Sequence, residues 1–200
     1  MQAIPIAGTF GADISGVRLG SLSDASFEDI YGAWLEYGVL RFRAQSLTKD
    51  DLQDFSQRFG PLEEMPLGRL SAGQKAKIDN RYVTPISNIV VDGKQIGGLG
   101  DAEASWHSDM TYVESPPPAS VLLGVEIPPV GGDTFFADQR EALVMLPDSL
   151  RARITDLTIK HDAAHDSAGL LRPGFEAFDD PRDAPGAEHA IILNHDETGD

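Results

Sequence analysis

Residues 106–138 read WHSDMTYVESPPPASVLLGVEIPPVGGDTFFAD, and the stretch opens with a histidine and an aspartate two positions apart. On an extended strand, residues i and i+2 point to the same face, so the side chains of His107 and Asp109 would project together. One further histidine would complete a two-histidine, one-carboxylate triad, which leaves open coordination positions and suits non-haem Fe(II) and oxygen chemistry. The segment therefore predicts a metal site at His107 and Asp109.

The spacing of this pair is weak support when it is taken alone. With five histidines and 21 aspartates in 200 residues, one His-x-Asp pair is close to what chance produces. His195 and Glu197 have the same spacing, within what reads as a polar turn. The prediction therefore depends on the sequence around the pair.

Upstream of this stretch, the hydrophobic pattern predicts two helices. Residues 24–37 place apolar side chains on one face, with Ser23 or Asp24 as the N-cap and Gly38 as the stop. The second helix has Thr48 as its N-cap and ends at Gly60-Pro61. Its buried face is predicted to carry Leu52, Phe55 and Phe59.

Downstream, short strands outnumber helices. Residues 138–157 are predicted to be helical with an interruption near Pro147, and residues 63–82 and 166–188 are predicted to be loops. The order of elements predicts an α+β domain built around a β-sandwich or barrel. Strands are predicted at 3–6, 39–42, 83–91, 120–127, 134–137, 158–161 and 190–194.

Several ordered motifs surround the pair. Before it come GADISGVRL at 11–19, EYGVLRFRAQSLTKDDL at 36–52 and RFGPLE at 58–63, and after it comes NHDETG at 194–199. Together with residues 106–138, these motifs resemble the taurine/2,4-dichlorophenoxyacetate dioxygenase family. The resemblance extends over nearly the whole chain.

The resemblance implies a double-stranded β-helix (jelly-roll) core with N-terminal and inserted helices, in a single oxygenase domain over 1–200. It also implies Fe(II), with 2-oxoglutarate as cosubstrate and O2, in the hydroxylation of a small organic and anionic substrate with release of succinate and CO2. By position, His107 and Asp109 match two iron ligands, and Thr134 matches the residue that holds the distal carboxylate of 2-oxoglutarate. Glu103 and His195 match positions near the substrate, and Trp106 is expected to pack beside the site.

Three departures from the family pattern qualify this interpretation. The third iron ligand and the arginine that binds 2-oxoglutarate have no counterpart among these residues, so we expect the domain to be incomplete at its C-terminus. Met65 and Gly68 stand where taurine-specific members have a histidine and a tyrosine, so taurine is not the expected substrate. An inactive jelly-roll binding protein stays open as an alternative, whereas a zinc hydrolase lacks a supporting His-Glu-x-x-His segment.

The composition limits the classes of partner. A formal net charge of −16 argues against binding to nucleic acid and to anionic membranes, because both require clustered basic residues. The absence of cysteine excludes disulfides and thiolate-ligated metals from this chain. No signal peptide or apolar run of membrane-spanning length is recognisable, so a cytoplasmic protein that acts on a small molecule is expected. Assembly into a homo-oligomer stays open.

Overall fold

The first helix, α1, spans Asp24–Tyr37, as predicted. Its N-cap is Ser23, whose Oγ accepts a hydrogen bond from the backbone N–H of Ser26 over 3.2 Å. Its stop is Gly38, where φ is 68° and the backbone N–H donates to the carbonyl of Trp34. A positive φ is strained for residues with a Cβ, which explains why a glycine ends this helix.

In this computed structural model, the structure describes residues 1–64, 80–95, 98–99, 105–172 and 174–199. Packing divides the chain into two compact units. The first unit comprises Met1–Phe55, Val121–Leu157 and Ile192–Asp200, and the second comprises Ser56–Ser120 and Thr158–Ile191. The predicted single domain over 1–200 stays a prediction.

The first unit is built on a three-stranded sheet. Strand β1 (Gln2–Pro5) pairs antiparallel with β2 (Gly11–Ser15), and β2 pairs parallel with β3 (Val39–Phe42). Between β2 and α1 lies one turn of 3-10 helix, Leu19–Ser21. The parallel pair places Asp13 opposite Arg41, and the two side chains form a two-pronged ion pair at 2.6 and 2.8 Å. The bonded guanidinium of Arg41 lowers the pKa of Asp13.

The second helix, α2, spans Lys49–Ser56 and packs with α1. Thr48 caps it as predicted, because its Oγ1 accepts from the N–H of Asp51 and its own N–H donates to the Asp51 carboxylate. Phe55 meets the rings of Phe27 and Phe42, with centroids 6.4 and 5.9 Å apart. The core of this layer also contains the buried side chains of Ala12, Ile14, Leu19, Ile30, Ala33 and Leu52.

Two predictions for the second helix were wrong in detail. The helix ends at Ser56 rather than at Gly60-Pro61, because residues 57–60 form turns. Phe59, predicted on its buried face, lies beyond the helix and is half-buried.

The later part of the first unit contains two short helices and a long irregular stretch. The helices are α3 (Gln139–Met145) and α4 (Asp148–Ile154), which confirm the predicted interruption at Pro147. Residues 120–127 and 134–137 form no strand, and Val125, Ile127 and Phe135 are mostly exposed. The two strand predictions were wrong here because an apolar run becomes a strand only where another strand supplies hydrogen-bond partners.

The second unit contains short paired strands. β4 (Ile86–Ser87) pairs parallel with β7 (Gly98–Leu99), and β5 (Val90–Val91) pairs antiparallel with β6 (Lys94–Gln95). The predicted strand at 83–91 is therefore two short strands. The described residues form small sheets and do not themselves display the two facing sheets of a jelly roll.

One hairpin of the second unit carries His189, which contacts the segment after Asp109. β8 (Thr158–Lys160) pairs antiparallel with β9 (Glu188–Ala190). The strand predicted at 190–194 therefore lies slightly earlier in the chain. The loop between the two strands includes a 3-10 turn at Pro181–Asp183. Across the described residues, no helix is both long and apolar enough to cross a lipid bilayer.

We expect Ile30→Ala to destabilise the first unit by about 2–5 kcal/mol, because Ile30 is fully buried and its removal leaves a cavity. Urea unfolding followed by circular dichroism measures the change. Ile4→Ala is the control, since Ile4 is 51% exposed and should cost less than about 1 kcal/mol. Equal losses in the two variants would contradict the assigned core.

Candidate metal centre

The segment that carries His107 and Asp109 is irregular. Residues 105–108 form no strand, and Asp109 begins a turn in which Val113 N–H donates to the carbonyl of Met110 over 3.1 Å. The expectation that a regular strand places the two side chains on one face was therefore wrong. The backbone N–H of Ser105 bonds to the Ser167 carbonyl over 2.8 Å, which joins the segment to a distant loop instead of a strand ladder.

His107 and Asp109 nevertheless meet. The Nε2 atom of His107 lies 3.3 Å from Oδ1 of Asp109. The side chains are 43% and 58% exposed, so the contact would contribute little to stability even with a protonated imidazole. The proximity of His107 and Asp109 is therefore not explained by a contribution to the stability of the fold.

The remaining polar atoms of the pair are hydrogen-bonded. His107 Nδ1 lies 2.6 Å from the Ser105 carbonyl, which can only accept, so Nδ1 carries a proton. In the neutral ring the lone pair is then on Nε2, the atom that faces Asp109. Ser120 Oγ donates to Asp109 Oδ2 over 2.8 Å, which leaves Oδ1 as the oxygen facing the histidine.

This arrangement is typical of metal ligands whose outer atoms are held by neighbouring groups. Two ligands about 2.0–2.2 Å from one ion and at right angles would stand roughly 3 Å apart, close to the observed separation. In the part of the chain that the structure describes, no group of three or more His, Asp or Glu side chains could hold a metal. His107 and Asp109 therefore fit a partial set of iron ligands.

Trp106, next to this pair, does not pack as expected. Its side chain is 72% exposed, although an indole ring normally gains by burial. Residues 101–104, which precede the segment, lie outside the described residues, and so does the predicted substrate residue Glu103.

The other predicted site residues, Thr134 and His195, belong to the first unit, whereas His107 and Asp109 belong to the second. Thr134 lies in irregular chain and is exposed. The roles assigned to Thr134 and His195 stay predictions.

His195 organises the turn at its own position. Its Nδ1 lies 3.3 Å from the backbone N–H groups of Glu197 and Thr198, and its carbonyl accepts from Gly199 over 2.8 Å. Accepting from these groups requires an unprotonated Nδ1, so the neutral ring carries its proton on Nε2. Glu197 accepts a hydrogen bond from the hydroxyl of Tyr31 on α1, and this bond raises the pKa of Tyr31.

Sequence reasoning missed four residues that contact the metal-pair segment. Ser105 and Ser120 hold the two candidate ligands, and His189 binds carbonyls just after them. Arg172 lies over the ring of Tyr112, with its guanidinium carbon 4.8 Å from the ring centroid. The contacts of His189 and Arg172 join residues that no local periodicity relates. Ser105 and Ser120 lie near the pair in sequence, and this proximity was the one available signal.

Comparison with known proteins places this geometry in context. The model for the family described as taurine catabolism dioxygenase TauD, TfdA matches residues 2–200. An (S)-phenoxypropionate/alpha-ketoglutarate-dioxygenase of Sphingobium herbicidovorans is 34% identical over 98% of this chain and 67% of its own length. An alpha-ketoglutarate-dependent sulfate ester dioxygenase of Pseudomonas putida is also 34% identical, over 83% of this chain and 51% of its own length.

A solved structure supports the same relationship. A taurine dioxygenase from Burkholderia xenovorans superposes with a TM-score of 0.69 and 29% identity, over 99% of this chain and 60% of that one. The chain thus spans about half to two thirds of the length of the proteins that it matches. The resemblance inferred from the motifs is confirmed: this chain belongs to the TauD/TfdA family of dioxygenases.

Proposed function

We propose that this chain carries part of the active site of an Fe(II)- and 2-oxoglutarate-dependent dioxygenase that hydroxylates a small, anionic organic substrate. The observation that carries the proposal is the His107–Asp109 pair, with its two facing donor atoms 3.3 Å apart and its outer atoms held by Ser105 and Ser120. Family membership supports it, since both relatives are named as dioxygenases that use alpha-ketoglutarate, the same compound as 2-oxoglutarate.

His107 Nε2 and Asp109 Oδ1 would hold the iron. When bound, Fe(II) with 2-oxoglutarate and O2 supplies the oxidising chemistry that inserts one oxygen atom into a substrate C–H bond and the other into succinate. The protein fixes the ligands in place beforehand. The Ser105 carbonyl keeps the His107 lone pair on Nε2, and the Ser120 hydroxyl restricts rotation of the Asp109 carboxylate.

The remaining parts of the reaction centre belong to the same proposal. Thr134 would bind the distal carboxylate of 2-oxoglutarate, and Glu103 and His195 would lie near the substrate. The third iron ligand and the 2-oxoglutarate arginine would come from polypeptide outside these 200 residues, within one oxygenase domain with a jelly-roll core. A cytoplasmic location and a homo-oligomeric state fit this proposal.

Arg172 is our candidate for contact with the substrate anion. Its guanidinium lies over Tyr112, three residues after Asp109, and pairs with no carboxylate of the described residues. Its backbone is fixed by a 2.7 Å bond from its N–H to the Ala164 carbonyl. In a chain of net charge −16, a guanidinium without an acidic partner is available for an external anion.

Anaerobic addition of Fe(II) and 2-oxoglutarate to the full-length protein should produce a weak visible charge-transfer band. We expect His107→Ala and Asp109→Ala each to abolish this band, because each removes one of the two donor atoms. A His195→Ala variant should keep it. Absence of the band in the wild type, with no succinate formed under oxygen, would favour the inactive binding protein instead.

Ser120→Ala should weaken binding of Fe(II) about 10-fold or more, because Asp109 Oδ2 loses its only hydrogen-bond donor among the described residues. Equilibrium titration of the full-length protein under anaerobic conditions measures the affinity. Ser115→Ala, a change at an exposed serine in the same unit, is the control and should leave the affinity unchanged. Equal affinities in both variants would remove Ser120 from the site.

Arg172→Met should raise KM for anionic substrates about 10- to 100-fold, the equivalent of losing one charge-assisted hydrogen bond worth about 1.5–3 kcal/mol. The measurement is 2-oxoglutarate turnover across sulfonates, sulfate esters, aryloxy acids and amino-acid derivatives. Arg153→Met, at an exposed arginine of α4, serves as the matched control. An unchanged KM for every anionic substrate would exclude Arg172 from the substrate site.

A further inference from the structure

We propose that His189 is a positioning residue for the iron pair: from β9, its imidazole holds the chain segment that directly follows Asp109. This inference rests on the proposed function of His107 and Asp109 as iron ligands. No sequence motif pointed to it, because His189 lies 80 positions after the aspartate.

The contact is a shared hydrogen bond. Nε2 of His189 lies 2.9 Å from the carbonyl oxygen of Thr111 and 3.1 Å from that of Val113. Carbonyl oxygens only accept, so Nε2 carries the proton and donates to both. The carbonyl of Tyr112, between these two residues, accepts from the backbone N–H of Ala187 over 2.8 Å. Three successive carbonyls are thus bound by residues 187–189.

His189 is held in place by the pairing of strands β8 and β9. Its strand pairs with β8 through the register Ile159↔His189, and the pairing continues as His161 N–H donates to the Ala187 carbonyl over 2.9 Å. Ala187 is buried, and His189 is half-buried. The imidazole therefore projects from a fixed backbone.

The segment after Asp109, which His189 contacts, contains a strained residue. Met110 follows Asp109 directly and has φ of 54°, a left-handed conformation that is uncommon for a residue other than glycine. Such a conformation persists where the surrounding structure over-determines it. The three bound carbonyls lie one to three residues further along the chain. They therefore fix the turn that sets the direction of the Asp109 side chain.

The imidazole of His189 packs against a second histidine ring. The His161 ring lies beside it with centroids 5.3 Å apart. Burial lowers the pKa of His161, and the nearby His189 lowers it further, so His161 packs as a neutral ring at neutral pH. His161 makes no ring hydrogen bond to the described residues, which makes it a matched control.

The test compares His189→Phe, which keeps an aromatic ring without a donor, with His189→Gln, which restores an N–H donor. The full-length protein is titrated with Co(II), whose visible bands report the ligand geometry. We expect His189→Phe to weaken Co(II) binding about 10-fold and to alter the bands, as loss of an outer-shell partner does. His189→Gln should recover most of the affinity, and His161→Phe should leave both readouts unchanged.

Hydrogen exchange at the Val113 amide reports the turn without any metal, because this amide donates to Met110. It should exchange faster in His189→Phe and at the wild-type rate in His189→Gln. Normal exchange together with normal Co(II) binding in His189→Phe would overturn the proposal. If the wild type binds no Co(II), the proposed iron site fails, and the exchange rates alone decide whether His189 holds the turn.

A measurement on the wild type covers the case in which His189→Phe does not fold. Nitrogen NMR of the unsubstituted protein should show His189 with a proton on Nε2. A neutral ring protonated on Nδ1 alone would overturn the proposal, since such a ring cannot donate to Thr111 and Val113.

Discussion

The geometry of the His107–Asp109 pair depends on hydrogen bonds from segments that are distant along the chain. A loop without regular structure loses conformational entropy when it is held in one shape, and the loop that carries His107 and Asp109 has no strand ladder to compensate. It is instead held on both sides: Ser167 binds the backbone of Ser105 before the pair, and residues 187–189 bind three carbonyls after it. These contacts restrain the segment that carries the two candidate ligand atoms.

The two candidate ligands are held by different means. His107 is oriented by a carbonyl only two residues away, so its tautomer is set within the segment itself. Asp109 is oriented by the hydroxyl of Ser120, which lies beyond the proline-rich turn at 116–118. A substitution in that turn would therefore alter the orientation of the Asp109 carboxylate more than that of the His107 imidazole.

Local features of the sequence were sufficient for the starts of the first two helices and for the end of the first. The caps at Ser23, Gly38 and Thr48 act over three or four residues, and the structure confirms them. Local pattern failed at 120–127 and 134–137, because strand formation depends on partners that no window of sequence contains. The pairing of His107 with Asp109 was predictable from the motif that contains both residues. The contribution of His189 was not, because His189 lies on a strand 80 positions after Asp109.

The exposure of Trp106 has a practical consequence. The chain contains two tryptophans, and the other, Trp34, is half-buried and lies against the ring of Tyr31 with centroids 5.3 Å apart. The emission of the exposed indole should therefore be red-shifted relative to that of Trp34. Because Trp106 is adjacent to His107 in the chain, a paramagnetic ion bound at the proposed site would quench this red-shifted component. Trp106 would then report occupancy of the proposed site by its own fluorescence, without an added label.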